Sequence, residues 1–147
     1  MIDCFENEYE FLSNFATSPI TDDEGIEFPT VEHFFQASKA KFKHQYRAIA
    51  AAPTPGKAKW LGRRVELRSD WEQVKDEIML EGVRKKFAIP ELREKLLATG
   101  DEELVEGTWW HDNEWGSCSC EKCQNIIGKN KLGKILMKVR EEIKSSL

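Results

Sequence analysis

The sequence predicts a mainly α protein: a single compact multi-helical domain over residues 1–147, with a few short β-strands. Three observations carry that reading. Apolar residues recur at helical spacing in several separate segments, most cleanly Leu132, Ile135, Leu136, Val139 and Ile143. Helix-starting residues stand just ahead of such segments: Thr30, Thr54 followed by Pro55, Ser69 with Glu72, Pro90, and Asn130. Finally, 147 residues with no internal repeat, low-complexity tract or linker suit one domain with one core.

Taken in order, residues 2–5 read as a short strand, and FLSNF (11–15) as a loop with two aromatics around Asn14. Ile20 and the segment 26–28 read as a small hairpin across the turn-rich Asp22, Asp23, Glu24 and Gly25. Thr30 then opens a helix expected to reach Lys43 and to continue through residues 44–52, until Pro53 and Pro55 break it. A helix from Pro55 is expected to end at Gly62. The Ser69–Glu72 capping box predicts a long helix over about 70–87, with Trp71 in its first turn. Pro90 opens a helix that turns Leu92, Leu96 and Leu97 inward and is capped by Gly100. A short strand at residues 104–105 follows. Residues 107–130 are irregular, and a loop of that length is usually functional or tied by a metal. Asn130 caps the last helix.

Hydrophobic content of 40% and charged content of 33% fit an ordinary soluble globular protein. There is neither a membrane-length apolar run nor a basic, apolar signal pattern, so a cytoplasmic protein without membrane attachment is expected. Three of the four cysteines fall within six residues, unlike a secreted disulfide framework. The net charge of −4 hides a segregation. Residues 1–38 hold nine acids and no Lys or Arg; residues 39–68 hold nine Lys or Arg and one acid, Glu66. That pattern argues against general nucleic-acid coating and fits local recognition of a phosphate or pyrophosphate, unless the two blocks simply pair with each other.

The stretch TVEHFFQASKAKFK (30–43) is the chemical centre of the chain. Val31, Phe34, Phe35 and Phe42 form an apolar stripe, and Glu32, Gln36 and Lys39 form a second one beside it. At about 100° per residue, Glu32 and Lys39 lie within roughly 20° of each other, two turns apart. Such a row is, by itself, the common pattern of a solvated helix face; it also suits an acid, an amide and an amine along a cleft. The loop TWWHDNEWG (108–116) is the second concentration of polar and aromatic groups. Trp109 and Trp110 read there as core plugs. Asp112 beside Trp115 and Gly116 reads as a pocket group, because glycine admits a ligand to the backbone and tryptophan offers a stacking face. Cys118, Cys120 and Cys123 (CSCEKC) have the spacing of thiolates that share a structural zinc, with His111 or Cys4 to complete the set. The alternative is three reduced thiols. No P-loop, dinucleotide fingerprint or H-E-x-x-H is present.

FLSNF, VEHFFQASKA, AKWLGR with LRSDW, LLATGDEELVEG, WHDNEWG and GKNKLGKILMKVRE occur in this order. Together these blocks, spanning nearly the whole chain, resemble the NADAR, or YbiA-like, family. The resemblance implies a mainly helical fold and hydrolysis of N-glycosidic bonds between ribose and a base-like amine. Two activities are associated with such proteins: removal of ADP-ribose from modified guanine in DNA or nucleosides, and cleavage of ribosylamino-pyrimidine phosphates, early intermediates of riboflavin synthesis. It also implies that the lysine of the E-H-x-F-Q-A-x-K pattern, here Lys39, forms a Schiff base, with Glu32 as the acid. The pattern departs at CSCEKC, where the better-known bacterial relatives carry a glycine-rich loop, so what the resemblance implies does not extend to that region.

The implied chemistry is coherent. A ribose joined to an exocyclic amine can ring-open to an imine at C1, which a neutral lysine can attack. Burial beside Phe35 and the cations Lys41 and Lys43 are expected to lower the pKa of Lys39, and Glu32 to raise it and shuttle protons. Gln36 faces the same cleft. Arg63, Arg64 or Lys59 would hold phosphates, Trp71, Trp115 or Phe15 would stack on a base, Asn14 would read a base edge, and Asp112 would orient ribose hydroxyls. Catalysis needs no cofactor in this scheme. A non-catalytic ADP-ribose-binding module is the reading of another class, and the amine at Lys39 argues against it.

Overall fold

In the computed structural model, which describes residues 1–147, the Thr30 hydroxyl accepts the backbone N–H of His33 at 3.1 Å and starts helix α1 (Val31–Ala37). This is the expected cap, satisfying a first-turn donor that has no helical partner. The chain is mainly helical and groups into two compact units, Asn14–Ala88 and Met1–Ser13 with Ile89–Leu147.

In the unit Asn14–Ala88, α1 packs against α2 (Lys43–Ala50), α3 (Pro55–Gly62) and α4 (Trp71–Phe87). Every residue of α1 is buried, so it is the core helix of this unit. His33 ties it to the end of α2: Nε2 lies 2.9 Å from the Ala52 carbonyl and Nδ1 2.9 Å from the Thr30 hydroxyl. A carbonyl only accepts, so Nε2 carries the proton and Nδ1 accepts from Thr30. The expected hairpin is present as β1 (Ile20–Thr21) antiparallel to β2 (Glu27–Phe28). Asp22 closes its turn by accepting the backbone N–H groups of Glu24 and Ile26, and it also accepts the Tyr46 hydroxyl.

Three local expectations are corrected in this unit. The helix opened by Thr30 does not reach Lys43 or run on into residues 44–52. It stops at Ala37, and a new helix begins after Phe42, which is exposed instead of lying on the apolar stripe. The reason is a long-range pairing: Lys41 N–H donates to the Glu66 carbonyl at 2.8 Å and Arg68 N–H to the Lys39 carbonyl at 2.9 Å, around an antiparallel bridge of Ala40 with Leu67. Lastly, the Ser69–Glu72 capping box is not formed. Asp70 is the N-cap residue of α4, without a side-chain cap bond, and its carboxylate is held by Arg68 at 2.6 Å.

In the unit Met1–Ser13 with Ile89–Leu147, α5 (Pro90–Ala98) packs on α6 (Lys131–Ser145) and on a short 3-10 helix, Asn7–Leu12. Leu96 of α5 and Leu132, Leu136 and Val139 of α6 are buried, as their spacing predicts. Arg140 and Lys144 bind the turn that ends α5: Arg140 donates to the Thr99 hydroxyl and the Glu102 carbonyl, and Lys144 to the Gly100 carbonyl. Cations there satisfy carbonyls that the helix end leaves open. The strands expected at residues 2–5 and 104–105 reduce to one parallel bridge, Ile2 with Leu104. Asn130 stands at the N-cap of α6 but makes no cap bond; its amide reaches back instead, accepting from Glu106 N–H and donating to the Leu104 carbonyl, each at 2.9 Å. Within residues 107–130, β3 (Gly107–Thr108) runs parallel to β4 (Ser117–Cys118). No helix is long and apolar enough to cross a membrane.

Candidate active site

The acid, amide and amine of the central motif lie on and just beyond α1. Glu32 is buried, and its Oε1 accepts from Gln36 Nε2 at 2.7 Å, one helical turn away. The backbone of Glu32 is fixed as well, donating to the Asn14 carbonyl at 3.1 Å. Asn14 is buried, and its amide contacts Met79 Sδ at 3.4 Å, so it braces the start of α1. Gln36 Oε1 is buried without a hydrogen-bond partner, an expensive arrangement unless something polar meets it in use. It presses on Gly62, where an added Cβ would collide with it. Glycine at the end of α3 therefore makes the seat for the Gln36 amide.

Lys39 lies beyond the last turn of α1, half-buried, with its backbone carbonyl pinned by Arg68. Its Nζ is 5.8 Å from the centroid of the Phe35 ring and 5.9 Å from that of Trp71. Those two rings pack on each other at 5.1 Å, tilted by 57°, and both are buried. Trp71 thus walls the amine, with little of its face open for a base. Burial pushes the pKa of Lys39 below its ordinary value; Glu32 pulls it up, and Arg63, Lys59 and Lys75 push it down in turn. The cations that act on Lys39 are therefore not the expected Lys41 and Lys43. Lys43 is turned away to Glu24, at 2.5 Å, and Lys41 lies over Phe42. Lys75 escaped the sequence reading, although its spacing from Trp71 along α4 places both on one helix face.

The other candidates are distributed more widely. Arg63 is exposed and Lys59 half-buried, both near Lys39. Arg64 stacks on Trp60 at 3.6 Å and donates to its carbonyl; Lys57 meets the same ring at 3.9 Å. Phe15 is 46% exposed. Asp112, Trp115 and Gly116 belong to the unit that contains residues 89–147. There the Asp112 carboxylate accepts the N–H groups of Glu114 and Trp115 at 3.1 and 2.9 Å, shaping its own turn. Lys131 lies over the Trp115 ring at 5.3 Å. A Cβ on Gly116 would strike the Glu106 carbonyl and Thr108, so packing explains this glycine. Trp109 and Trp110 are exposed and meet edge-to-face, which corrects their reading as core plugs.

His111, Cys118, Cys120 and Cys123 converge in the same unit, with their ligand atoms within 4.8 Å of one another. His111 Nδ1 lies 3.3 Å from both Cys120 Sγ and Cys123 Sγ, and its backbone N–H donates to Cys118 Sγ at 3.3 Å. Cys4 is exposed and is not part of this group.

Comparison with known proteins places these residues in context. The NADAR domain model matches residues 3–144. An N-glycosidase of Nostoc punctiforme is 44% identical over 145 residues, covering 95% of this chain and 88% of that protein. The N-glycosidase YbiA of Escherichia coli is 39% identical over 141 residues, 93% of this chain and 83% of that one. The NMR structure of Escherichia coli YbiA superposes with a TM-score of 0.84 at 37% identity, covering 99% of this chain and 88% of that chain. A riboflavin biosynthesis protein of Vibrio vulnificus is 36% identical over 141 residues, 94% of this chain and 36% of its own length.

Proposed function

Because this chain belongs to the NADAR domain family, we infer that it is an N-glycosidase, a hydrolase acting on N-glycosyl bonds. Its substrate in this reading is ADP-ribosylated guanine, in DNA or as the nucleoside, and its nucleophile is Lys39. The observation that carries the proposal is the setting of that amine: half-buried beside the packed rings of Phe35 and Trp71, near Arg63, Lys59 and Lys75, with its pKa held below the ordinary lysine value. A lysine so placed is neutral more often at physiological pH and is thus available to attack.

The reaction then runs as an imine exchange. The ribose ring opens, leaving C1 doubly bonded to the exocyclic nitrogen of the base. Lys39 Nζ adds to C1, a proton passes to the base nitrogen, and the bond from C1 to that nitrogen breaks. This frees the intact base and leaves C1 joined to Nζ as a Schiff base. Water then adds to C1 and expels the lysine amine, so the sugar departs as its aldehyde and recloses. Glu32, near enough to raise the Lys39 pKa, carries protons between these steps, and Gln36 orients its carboxylate. Arg63 and Lys59 supply positive charge for the diphosphate.

A second reading, hydrolysis of ribosylamino-pyrimidine phosphates, is favoured by the match to the Vibrio vulnificus riboflavin biosynthesis protein. Both substrates carry a ribosylamine and phosphate, so the same residues serve either. The protein is to be incubated separately with ADP-ribosylated guanosine and with a ribosylamino-pyrimidine phosphate, and the products identified by mass spectrometry. Guanosine and ADP-ribose from the first are expected. Turnover of the pyrimidine alone selects the second reading, and binding of ADP-ribose without turnover of either selects a non-catalytic module.

A further inference from the structure

We propose that His111, Cys118, Cys120 and Cys123 bind one zinc ion, which ties the segment between β3 and α6 to itself. Three thiols and an imidazole are the donor set that tetrahedral zinc takes in structural sites. With zinc–sulfur bonds of about 2.3 Å and zinc–nitrogen bonds of about 2.0–2.1 Å, a tetrahedron places its donors about 3.5–3.8 Å apart. The four ligand atoms here lie within 4.8 Å of one another, and two sulfurs stand 3.3 Å from the same Nδ1. One imidazole nitrogen has a single lone pair or a single proton, so it cannot make two well-directed hydrogen bonds with both thiols. A shared cation accounts for the convergence of both sulfurs on one nitrogen.

The surroundings fit a metal centre. The backbone N–H of His111 donates to Cys118 Sγ at 3.3 Å, as expected around a ligating thiolate, and Asn113 Oδ1 accepts Cys118 N–H at 2.9 Å. His111 adopts φ +69°, a conformation costly for a side-chain-bearing residue, and that turn brings its ring to the sulfurs. Neighbouring backbone bonds already clamp the segment to the start of α6: Lys131 N–H to the Glu114 carbonyl at 3.1 Å and Leu132 N–H to the Trp115 carbonyl at 3.0 Å. A metal would close the remaining stretch from residue 111 to residue 123, whose regular structure is the two-residue strand β4 and one 3-10 turn. All four positions are filled by protein, so the site is structural, with none open for a reacting water.

The test uses the full chain purified without affinity resins that carry metal. Elemental analysis is expected to find about one zinc per chain. Only Cys4 should react quickly with a thiol reagent, and the other three thiols should be released together with the metal on denaturation in chelator. Cobalt substitution should give the intense visible and near-ultraviolet bands of tetrahedral thiolate coordination. Chelation should open residues 107–130 to limited proteolysis. Cys120→Ser should lose the metal. Because that variant can unfold, His111→Cys is the second one: it should keep zinc and shift the cobalt bands toward four-thiolate coordination. Cys4→Ser should change none of this. Zinc below about a tenth of an equivalent in wild type, with Cys118, Cys120 and Cys123 titrating as fast as Cys4, would overturn the proposal. So would iron as the bound metal, or retention of zinc with unchanged cobalt spectra by His111→Ala.

Discussion

Gln36 Nε2 donates to Glu32 Oε1 across 2.7 Å, inside a helix whose every residue is buried. The amide holds one carboxylate oxygen, so the orientation of the Glu32 acid depends on the seat of Gln36. In turn that seat depends on Gly62. Gly62→Ala is expected to force the Gln36 side chain from its place, destabilise the protein by about 1–3 kcal/mol and lower turnover, as overpacking of a tight site does. Urea unfolding with parallel rate measurements checks this; unchanged stability and rate would mean that the seat relaxes freely.

Lys39→Ala should lower turnover at least about a hundredfold, the scale expected when covalent catalysis is lost. Lys39→Arg should be nearly as inactive, because a guanidinium keeps the charge without a nucleophilic amine. Borohydride added during turnover should leave a reduced sugar adduct on Lys39 in the wild type and none in either variant. Near-normal rates for Lys39→Arg would make Lys39 an electrostatic anchor and leave Glu32 to act on the sugar directly.

Glu32→Gln removes the negative charge that raises the Lys39 pKa, so that pKa should fall further. Labelling of Lys39 by an amine reagent, followed against pH by mass spectrometry, should rise at lower pH than in the wild type. Turnover should nevertheless drop by about tenfold or more, since the proton carrier is gone. An unmoved labelling curve would show that Glu32 and Lys39 are not coupled.

Lys39 should also cost the protein stability. Its folded pKa lies below the ordinary 10.5, so between the two values the unfolded chain binds more protons. Stability then rises with pH through that window, and the full penalty is present below the folded pKa. Lys39→Met should therefore be inactive yet more stable at pH 7, by about 1 kcal/mol or less given the exposure of the group. That gain should shrink as pH approaches 10.5 and above. A destabilised variant at pH 7 would show that the lysine contributes more through contacts than it loses through burial.

Much was legible in the residues themselves. Thr30, Thr54 with Pro55, and Pro90 start helices where they stand, because caps and proline act on their own first turn. The apolar stripe of α6 places Leu132, Leu136 and Val139 in the core, because periodicity is local. Glu32 and Gln36, one turn apart, were visible as a pair through their spacing. Tertiary structure decided what distance along the chain hides. Pairing of residues 39–41 with residues 66–68 ends α1 at Ala37 and lifts Lys39 off the helix. Arg63, Lys59 and Lys75 reach the amine from α4 and from α3 and its C-cap, whereas Lys41 and Lys43, closer in sequence, turn elsewhere. His111, not Cys4, joins the three cysteines, since a left-handed backbone turn brings its ring to them. Periodicity and caps are set by a few consecutive residues and can be read from them. The charge state of Lys39 and the fourth member of the cysteine cluster depend on which distant segments pack together, and only the folded chain brings those segments into contact.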